Sequence, residues 1–403
     1  SSEGTQAAHN TFVVMPLAGA LSLGIRAAPR CSVFRRASAG LSLRLSDFLN
    51  GKRAPSPGSS RRRRRPALRF GIIADVQYAN VDDAYNYEGT KLRHYRGALE
   101  SLSLATREWS SDSRLDFVAQ LGDAIDDQNK ESARSAMMML QKKWASLDVP
   151  VAHLVGNHEL YCFSRSELCR VVPSMAPFYR SFRPSEGWRV IQLDAFDINA
   201  IERDADSMVE EALGFLSCHN PNVGGRGLSG GDLCQGLRGL QRRFVPMGGG
   251  LRQAQLNWLR EELASAEAER ERVIVLSHIP IFPSATVPAA LLWNYDEVMD
   301  ILRQPAQGVV AAVFAGHYHA GGYAIDEVSG THHITVPSPL HAEPDDLRAH
   351  GTVEAFEDQL HIIGAGIVPS RELPLRPMPA RPPVWFPGLG APHLSGSLQM
   401  ATL

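Results

Sequence analysis

The sequence predicts an α/β fold built from layered sheets and helices. Short apolar runs rich in Val, Ile and Phe alternate along the chain with longer segments of helical period. Each apolar run also ends in a polar cluster, and open α/β sheets bind their ligands just beyond the carboxyl ends of the strands. With 403 residues, of which 44% are hydrophobic and 21% charged, the chain can bury a large core.

The apolar runs and the helical segments follow one another in a regular order. We predict buried strands within LRFGIIAD at 68–75, DFVAQLGD at 116–123, VAHLVGNH at 151–158, VIVLSH at 273–278 and VVAAVFAGH at 309–317. Segments of helical period lie between them, around 90–109, 128–146, 251–271 and 295–303. No run of about 18 uncharged apolar residues occurs, so the sequence predicts no transmembrane helix.

The two ends of the chain differ in composition from its centre. Residues 1–69 carry thirteen Lys and Arg against two acidic residues, a net charge of +11, while the remaining residues carry 28 against 41, or −13. We predict a disordered basic extension over 1–65, a catalytic domain over 66–368 and a Pro-rich disordered tail over 369–403. The basic extension is either an organellar transit peptide or a plain disordered tail.

A long connector over 197–250 shows little periodicity, and residues 214–250 alone contain eleven glycines. Loops of this length inside a compact domain are usually functional or disordered. A lid over the site and a surface insertion are both compatible with the sequence.

The five cysteines include no CxxC pair and are typical of free thiols in a reducing compartment. A disulfide between Cys218 and Cys234 in a secreted protein is the alternative. We expect an intracellular protein, in a plastid or mitochondrion if residues 1–65 are a transit peptide and otherwise in the cytoplasm.

The polar clusters at the strand ends contain only oxygen and imidazole donors. They are Asp75 and Gln77 in ADVQY, Asp123 and Asp126 in GDAID, Asn157 and His158 in GNHE, His278 in SHIP, and His317 and His319 in GHYH. Carboxylate and carbonyl ligands favour manganese or magnesium, whereas imidazole adds affinity for zinc or iron. Two ions held close together need a shared anionic ligand, and Asp123 is the candidate for that bridge. The sequence therefore predicts a site for two divalent metal ions.

The order DxQ, GDxxD, GNHE, SHxP and GHxH resembles the calcineurin-like metallophosphoesterase superfamily. More closely, FGIIADVQYANVDDAYNY, GNHELYCF, LLWNYDEV, GHYHAGGY and GTVEAFEDQLHIIGAG are similar to the manganese-dependent ADP-ribose/CDP-alcohol diphosphatase family. The likeness runs from about Leu68 to Gly366. Gln77 stands where most of the superfamily has His, and an amide oxygen favours manganese over zinc.

The resemblance implies a four-layer αββα sandwich and a division of the ligands between two ions. One ion would be held by Asp75, Gln77, Asp123 and His319, and the other by Asp123, Asn157, His278 and His317. The resemblance further implies that His158 donates a proton to the leaving group and that Asp126 orients its imidazole. A hydroxide bridging the two ions would then attack phosphorus in line.

The implied substrates are nucleoside diphosphate-linked compounds. ADP-ribose would give AMP and ribose 5-phosphate, and CDP-choline or CDP-glycerol would give CMP and a phospho-alcohol. Four residues are candidate substrate contacts: Tyr85 and Tyr87 for a base, and Arg93 and Arg96 for the diphosphate. The alternatives are a cyclic nucleotide phosphodiesterase or phosphomonoesterase with the same metal site, and a non-catalytic scaffold. We expect a monomer that binds neither nucleic acid nor membrane.

Overall fold

The computed structural model describes residues 64–86, 89–203, 205–223 and 232–378. Within them the strands are β1 (Leu68–Ile73), β2 (Ala84–Tyr85), β3 (Leu92–Arg93), β4 (Phe117–Gln120), β5 (Val151–His153), β6 (Arg180–Ser185), β7 (Trp188–Gln192), β8 (Ile198–Asn199), β9 (Gly249–Gly250), β10 (Arg272–Leu276), β11 (Val310–Ala315), β12 (Gly322–Ile325), β13 (His332–Thr335), β14 (Ala349–Ala355), β15 (Gln359–Gly366) and β16 (Arg371–Pro374). The residues outside these ranges include most of the predicted basic extension and of the Pro-rich tail.

The α-helices of the described residues are α1 (Gly97–Ser110), α2 (Ala133–Trp144), α3 (Asn157–Cys162), α4 (Arg165–Val171), α5 (Asp206–His219), α6 (Gln253–Glu269) and α7 (Tyr295–Leu302). Short 3₁₀ segments lie at Asp127–Ser132, Pro173–Met175, Gly239–Arg243, Pro283–Ala285, Pro288–Ala290 and Pro339–His341. None of these helices is both long and apolar enough to cross a membrane.

Two six-stranded sheets form the centre of the fold. One has the strand order β16, β15, β14, β1, β4, β5, and the other has the order β12, β13, β11, β10, β7, β6. The strands predicted from the sequence pair in parallel: β1 with β4, β4 with β5, and β10 with β11. Strand β10 also pairs in parallel with β7, and β11 with β13. The other pairs are antiparallel: β1–β14, β14–β15, β15–β16, β12–β13 and β6–β7. Within each sheet, the predicted strands therefore have their carboxyl ends at the same edge.

Alternation along each strand fills two kinds of core. In β1, Phe70 faces the space between the sheets, where it stacks at 4.8 Å on Phe117 of the neighbouring strand β4 and meets Phe314 of the second sheet edge-on at 5.7 Å. Ile73 of the same strand belongs to the second core, which lies between this sheet and the helices and includes Leu102 of α1. Helices α1 and α2 cover one sheet, and α6 and α7 cover the other. The predicted four-layer αββα sandwich is confirmed.

Two boundaries differ from the sequence predictions. The helix predicted from residue 90 begins at Gly97, because Leu92 and Arg93 pair as a strand with Ala84 and Tyr85 instead. The first sheet continues past the predicted domain end at 368, since β16 pairs with β15 and Leu373 is buried between the sheets.

The connector 197–250 also contains regular structure that its glycine content concealed. Helix α5 lies within it and buries Ala212 and Leu216, which are four residues apart and so share one face. These two side chains pack with Phe244 and Trp293 in a small separate core. Residues 224–231, the most glycine-rich part, lie outside the described residues. The choice between a lid and a surface insertion stays open.

The described cysteines are free thiols: Cys162, Cys169, Cys218 and Cys234. The alternative disulfide between Cys218 and Cys234 is therefore absent from the structure, while Cys31 lies outside the described residues. The interpretation of residues 1–65 as a transit peptide stays a prediction.

A buried histidine in β13 makes folding sensitive to acid. His333 is 2% exposed, stacks on Phe282 at 4.6 Å, and has no hydrogen-bond partner for either ring nitrogen among the described residues. Burial lowers its pKa from 6.5 to about 3. The folded protein keeps this ring neutral where the unfolded chain protonates it. Its contribution to stability is complete above pH 6.5 and is lost as the pH falls toward 3.

We predict that His333→Leu makes the free energy of unfolding less dependent on pH. Between about pH 6 and pH 4 the slope should fall by about 1.4 kcal/mol per pH unit, the value for one proton taken up on unfolding. Urea denaturation at a series of pH values measures this slope. Above pH 7 the free energy of unfolding should change with pH equally in both proteins. An unchanged slope at acidic pH would contradict the interpretation.

Candidate metal centre

The loops that carry the motif residues leave the carboxyl ends of β1, β4, β5, β10 and β11. Three of these strands belong to one sheet and two to the other, so the loops meet at one end of the sandwich. Backbone hydrogen bonds connect them: the N–H of Asp75 donates to the carbonyl of Gly122 over 3.1 Å. In the second sheet, the N–H of Gly316 donates to the carbonyl of His278 over 2.9 Å. The loops therefore support one another directly.

Four of the predicted ligands have backbone in the left-handed region, which is uncommon for residues other than glycine. The φ angles are 51° for Asp75, 42° for Gln77, 55° for Asp123 and 66° for His317. Among the described non-glycine residues, only Arg270 shares this conformation. A left-handed residue costs about 1–2 kcal/mol, and such residues cluster at functional sites. The loops adopt this unfavourable backbone conformation, and it directs these four side chains toward one point.

The first group of donors surrounds the amide of Gln77. Its Nε2 lies 3.0 Å from Oδ2 of Asp123 and 3.0 Å from Nε2 of His319. Nε2 of His319 in turn lies 3.8 Å from Oδ1 of Asp75. The structure thus brings together the four side chains that the resemblance assigns to one metal ion.

The second group surrounds His278. Its Nε2 lies 3.4 Å from Oδ2 of Asp123 and 3.4 Å from Oδ1 of Asn157. Donor atoms of Asp123, His278 and His317 all lie within 4.8 Å of one another, and the two imidazole rings are 5.1 Å apart. The remaining ring nitrogen of His278, Nδ1, lies 2.8 Å from the carbonyl of Leu121, which orients the ring. Asp123 is common to both groups, as a bridging ligand would have to be.

Two glycines of the motifs leave room for this convergence. A Cβ atom at Gly156 would lie 2.0 Å from Oδ1 of Asp123, and one at Gly316 would lie 2.5 Å from Oδ2 of Asp75. Neither position could carry a side chain without displacing a carboxylate. The glycine before Asn157 and the glycine before His317 are therefore required by close approach.

The donor set fits divalent cations. Asp75 and Asp123 are fully buried, and among the described residues neither forms an ion pair with Lys or Arg. Burial raises the pKa of Asp75 to about 8, so this carboxylate needs added positive charge to ionise at neutral pH. Oε1 of Gln77 is buried without a hydrogen-bond partner, and rotating the amide by 180° would turn it toward Asp123 and His319. Two bound cations would supply the positive charge that Asp75 needs and a partner for Oε1 of Gln77.

The protonation of two histidines also suits metal binding. Burial lowers the pKa of His317 to about 3 and holds the pKa of His319 well below its usual value. Both rings are therefore neutral at pH 7, which is the form that binds a metal ion. Burial alone would raise the pKa of Asp123, but the imidazoles of His278 and His158 hold it well below its usual range.

His158 lies beside the ligand cluster and is approached by two carboxylates. Its Nδ1 is 2.9 Å from Oδ1 of Asp127 and 3.5 Å from Oδ2 of Asp126. Burial lowers the pKa of His158, but Asp123, Asp127 and Asp126 together raise it to about 9. The predicted proton donor therefore carries a proton at neutral pH, and Asp126, its predicted orienting residue, lies within reach.

Glu159, the last residue of GNHE, has a role that the sequence reasoning missed. It is fully buried, and its carboxylate accepts hydrogen bonds from the backbone of Asp123 at 2.9 Å, of Ala124 at 2.5 Å and of Gly156 at 2.8 Å. One side chain thereby fixes two of the ligand loops. The available signal was its position three residues after Gly156 at the start of α3, where Glu often completes a helix cap.

A cavity of about 360 Å³ opens beside the cluster. It is lined by His317 and His319 together with Asn86, Thr90, Lys91, Arg93, Val287, Tyr318, Ala320 and His341. Of the predicted substrate contacts, Arg93 lines this cavity and has a buried Nε without a hydrogen-bond partner. Arg96 lies outside the lining and pairs with Asp82 at 2.6 Å. Tyr85 is 65% exposed and also lies outside it, and Tyr87 falls outside the described residues.

Comparisons with known proteins place this architecture in a family. The family model described as calcineurin-like phosphoesterase matches residues 68–321. A manganese-dependent ADP-ribose/CDP-alcohol diphosphatase of Oryza sativa is 36% identical over 319 residues, which cover 78% of this chain and 96% of that protein. The protein of the same name from Homo sapiens is 34% identical, with 75% of this chain and 91% of that protein covered.

A solved structure is similar as well. The crystal structure of a dimetal phosphatase from Danio rerio superposes with a TM-score of 0.70 at 32% identity, over 77% of this chain and all of that one. The chain therefore belongs to the calcineurin-like phosphoesterase family and, within it, to the manganese-dependent ADP-ribose/CDP-alcohol diphosphatases.

Proposed function

We propose that this protein hydrolyses the diphosphate bond of nucleoside diphosphate-linked compounds. ADP-ribose would give AMP and ribose 5-phosphate, and CDP-alcohols such as CDP-choline would give CMP and a phospho-alcohol. The observation that carries the proposal is the meeting of seven donor side chains, with Asp123 at their centre, next to a cavity lined by Lys91 and Arg93. The relatives' names supply the substrate class and manganese.

In this proposal two groups of side chains hold the two cations. Asp75, Gln77, Asp123 and His319 hold one, and Asp123, Asn157, His278 and His317 hold the other. When bound, the cations supply Lewis acidity toward water and offset the negative charge on the phosphate oxygens. The protein side chains fix the ligand positions before substrate arrives, because their loops are tied by backbone hydrogen bonds and by Glu159.

His158 supplies the proton that the departing phosphate needs. Hydrolysis breaks one P–O bond of the diphosphate, and the oxygen of water ends on the phosphorus that was attacked. The bridging oxygen leaves with the other phosphate, and a proton from His158 stabilises it. The carboxylates of Asp127 and Asp126 lie 2.9 Å and 3.5 Å from Nδ1 of His158 and favour its protonated form.

The cavity would hold the part of the diphosphate that the cations leave free. Lys91, Arg93 and His341 surround it, whereas no acidic side chain belongs to its described lining. Burial lowers the pKa of His341, so Lys91 and Arg93 are the cationic groups of the lining. These two charges favour an anionic ligand over a neutral or cationic one. Arg93 contributes a fork of donors that matches phosphate oxygens.

The predicted monomeric state is untested and stays a prediction.

We predict hydrolysis of ADP-ribose and CDP-choline by the full chain when manganese is returned after chelator treatment. Release of AMP or CMP should be fastest with manganese, because the amide oxygen of Gln77 disfavours zinc and the imidazoles of the cluster disfavour magnesium. Chromatography of the nucleotide products measures this. Turnover of only cyclic AMP or p-nitrophenyl phosphate would replace the substrate class and keep the metal site.

We predict that His278→Ala binds one manganese ion fewer and loses about 100-fold or more of the rate, as expected for removal of a preorganised electrostatic group. Metal content by mass spectrometry gives a readout that does not depend on turnover. His361→Ala in β15 is the matched control and should keep full metal and full activity, since no donor of the cluster contacts it. Full metal occupancy in His278→Ala would contradict the ligand assignment.

We predict that Arg93→Ala lowers kcat/KM for ADP-ribose by about tenfold or more, since hydrogen bonds to charged groups contribute about 1.5–3 kcal/mol. The loss should be smaller for p-nitrophenyl phosphate, which has one phosphate. Arg107→Ala on the exposed side of α1 is the control for removal of a positive charge. An equal loss in Arg96→Ala would contradict the choice of Arg93 over Arg96.

A further inference from the structure

The cavity beside the ligand cluster is lined by two chemically different groups of side chains. Lys91 and Arg93 carry positive charge, whereas Tyr318, Val287 and Ala320 contribute apolar surface. The cavity volume of about 360 Å³ lies within the range of about 300–1,000 Å³ that is usual for small-molecule sites. The cationic side chains suit phosphate. The apolar side chains are therefore available to a different part of the ligand.

Tyr318, the residue between the two histidines of GHYH, is the only carbocyclic aromatic side chain in the described lining. Its ring is half-buried, and within the part of the chain that the structure describes it packs on no other aromatic ring and its hydroxyl forms no hydrogen bond. Its backbone is fixed on both sides: the N–H donates to the carbonyl of Gly316 over 2.7 Å, and the carbonyl accepts from Gly321 over 2.9 Å. The fold therefore holds an uncovered aromatic ring at the cavity.

The amide and hydroxyl side chains of the lining are engaged with each other in a turn. Oδ1 of Asn86 accepts hydrogen bonds from the backbone N–H groups of Thr90 at 2.8 Å and of Lys91 at 3.0 Å. Nδ2 of Asn86 donates to Oγ1 of Thr90 at 3.1 Å. These groups are therefore not free to form paired hydrogen bonds with the edge of a base. Stacking on Tyr318 is the main contact that the cavity offers to a base.

We propose that the nucleobase of the substrate stacks on Tyr318 and that this contact makes the site prefer purine over pyrimidine bases. Every base has a π-face, so stacking accepts both kinds of base. A purine has two fused rings and covers more of the tyrosine ring than the single ring of a pyrimidine does. ADP-ribose is thus favoured over CDP-alcohols without their exclusion. This inference rests on the proposed function, because it names the part of the nucleotide substrate that the cavity holds.

The first measurement is steady-state kinetics of the full chain with manganese. The base is remote from the bond that breaks, so stacking is equal in the ground state and the transition state, and its loss raises KM while kcat stays unchanged. Tyr318→Ala should raise KM by about tenfold or more for ADP-ribose and by about threefold for CDP-choline. Tyr318→Phe keeps the ring and should keep the wild-type KM values. Tyr318→Leu keeps apolar bulk without the ring and should behave like Tyr318→Ala.

Two controls separate stacking from damage to the metal centre. Tyr318 lies between the proposed ligands His317 and His319, so manganese content is measured by mass spectrometry in each variant and should equal that of the wild type. If Tyr318→Ala binds less metal, Tyr318→Leu takes its place in the comparison. Tyr85→Ala is the matched control, because Tyr85 is 65% exposed and lies outside the described lining. It should leave both KM values unchanged.

A second measurement needs no turnover. In magnesium-loaded full-length protein, isothermal titration calorimetry compares the binding of AMP, CMP and ribose 5-phosphate. AMP should bind more tightly than CMP, and ribose 5-phosphate, which has no base, should bind more weakly than either. In Tyr318→Ala the affinity for AMP should fall to nearly that for ribose 5-phosphate, and Tyr318→Phe should restore it.

Three results would overturn the inference. An affinity for AMP that is equal in Tyr318→Ala and wild type would show that the base binds elsewhere. A lower kcat with unchanged KM in a fully metal-loaded Tyr318→Ala would mean that the ring acts on the metal centre and not on the base. Equal rises in KM for ADP-ribose and CDP-choline would refute the purine preference. If the wild type hydrolyses no diphosphate but the calorimetry gives the expected differences, the proposed function fails and the base site stands.

Discussion

The carboxylate of Asp123 ties the loops of the site together. Its Oδ1 accepts a hydrogen bond from the backbone of His158 at 2.8 Å, and its Oδ2 accepts one from Gln77 at 3.0 Å and lies 3.4 Å from His278. Its own backbone N–H is held by Glu159. A buried carboxylate is tolerated only when charged or hydrogen-bonding partners surround it. Asp123 can therefore be buried only where four loops bring partner groups to its carboxylate.

The fold supplies the rigidity that this constraint needs. Four of the seven ligands stand in left-handed backbone just after the completely buried strands β1, β4 and β11. The strain is local, whereas the sheets are fixed by the apolar contacts of both cores. Glu159 adds a second fixed point, because it joins the loop after β4 to the start of α3. Such preorganisation is what a site for charge stabilisation requires.

The central strands and their polar ends were predictable because buried parallel strands are continuous apolar runs and because the ligand residues follow them directly. The details were set by contacts that a single sequence does not reveal. Arg93 and Arg96 lie three residues apart in the segment predicted to be one helix, but the pairing of β2 with β3 puts Arg93 at the cavity and leaves Arg96 with Asp82. Asp126 and Asp127 are neighbours in sequence, and the turn after Asp123 brings both carboxylates within 3.5 Å of Nδ1 of His158.

The most direct test of this account is the position of manganese in crystals of the full chain, measured by anomalous diffraction at the manganese absorption edge. The account predicts two peaks at the end of the sandwich, both within bonding distance of the Asp123 carboxylate, with Gln77 on one ion and Asn157 on the other. A single peak, or two peaks of which neither contacts Asp123, would contradict it.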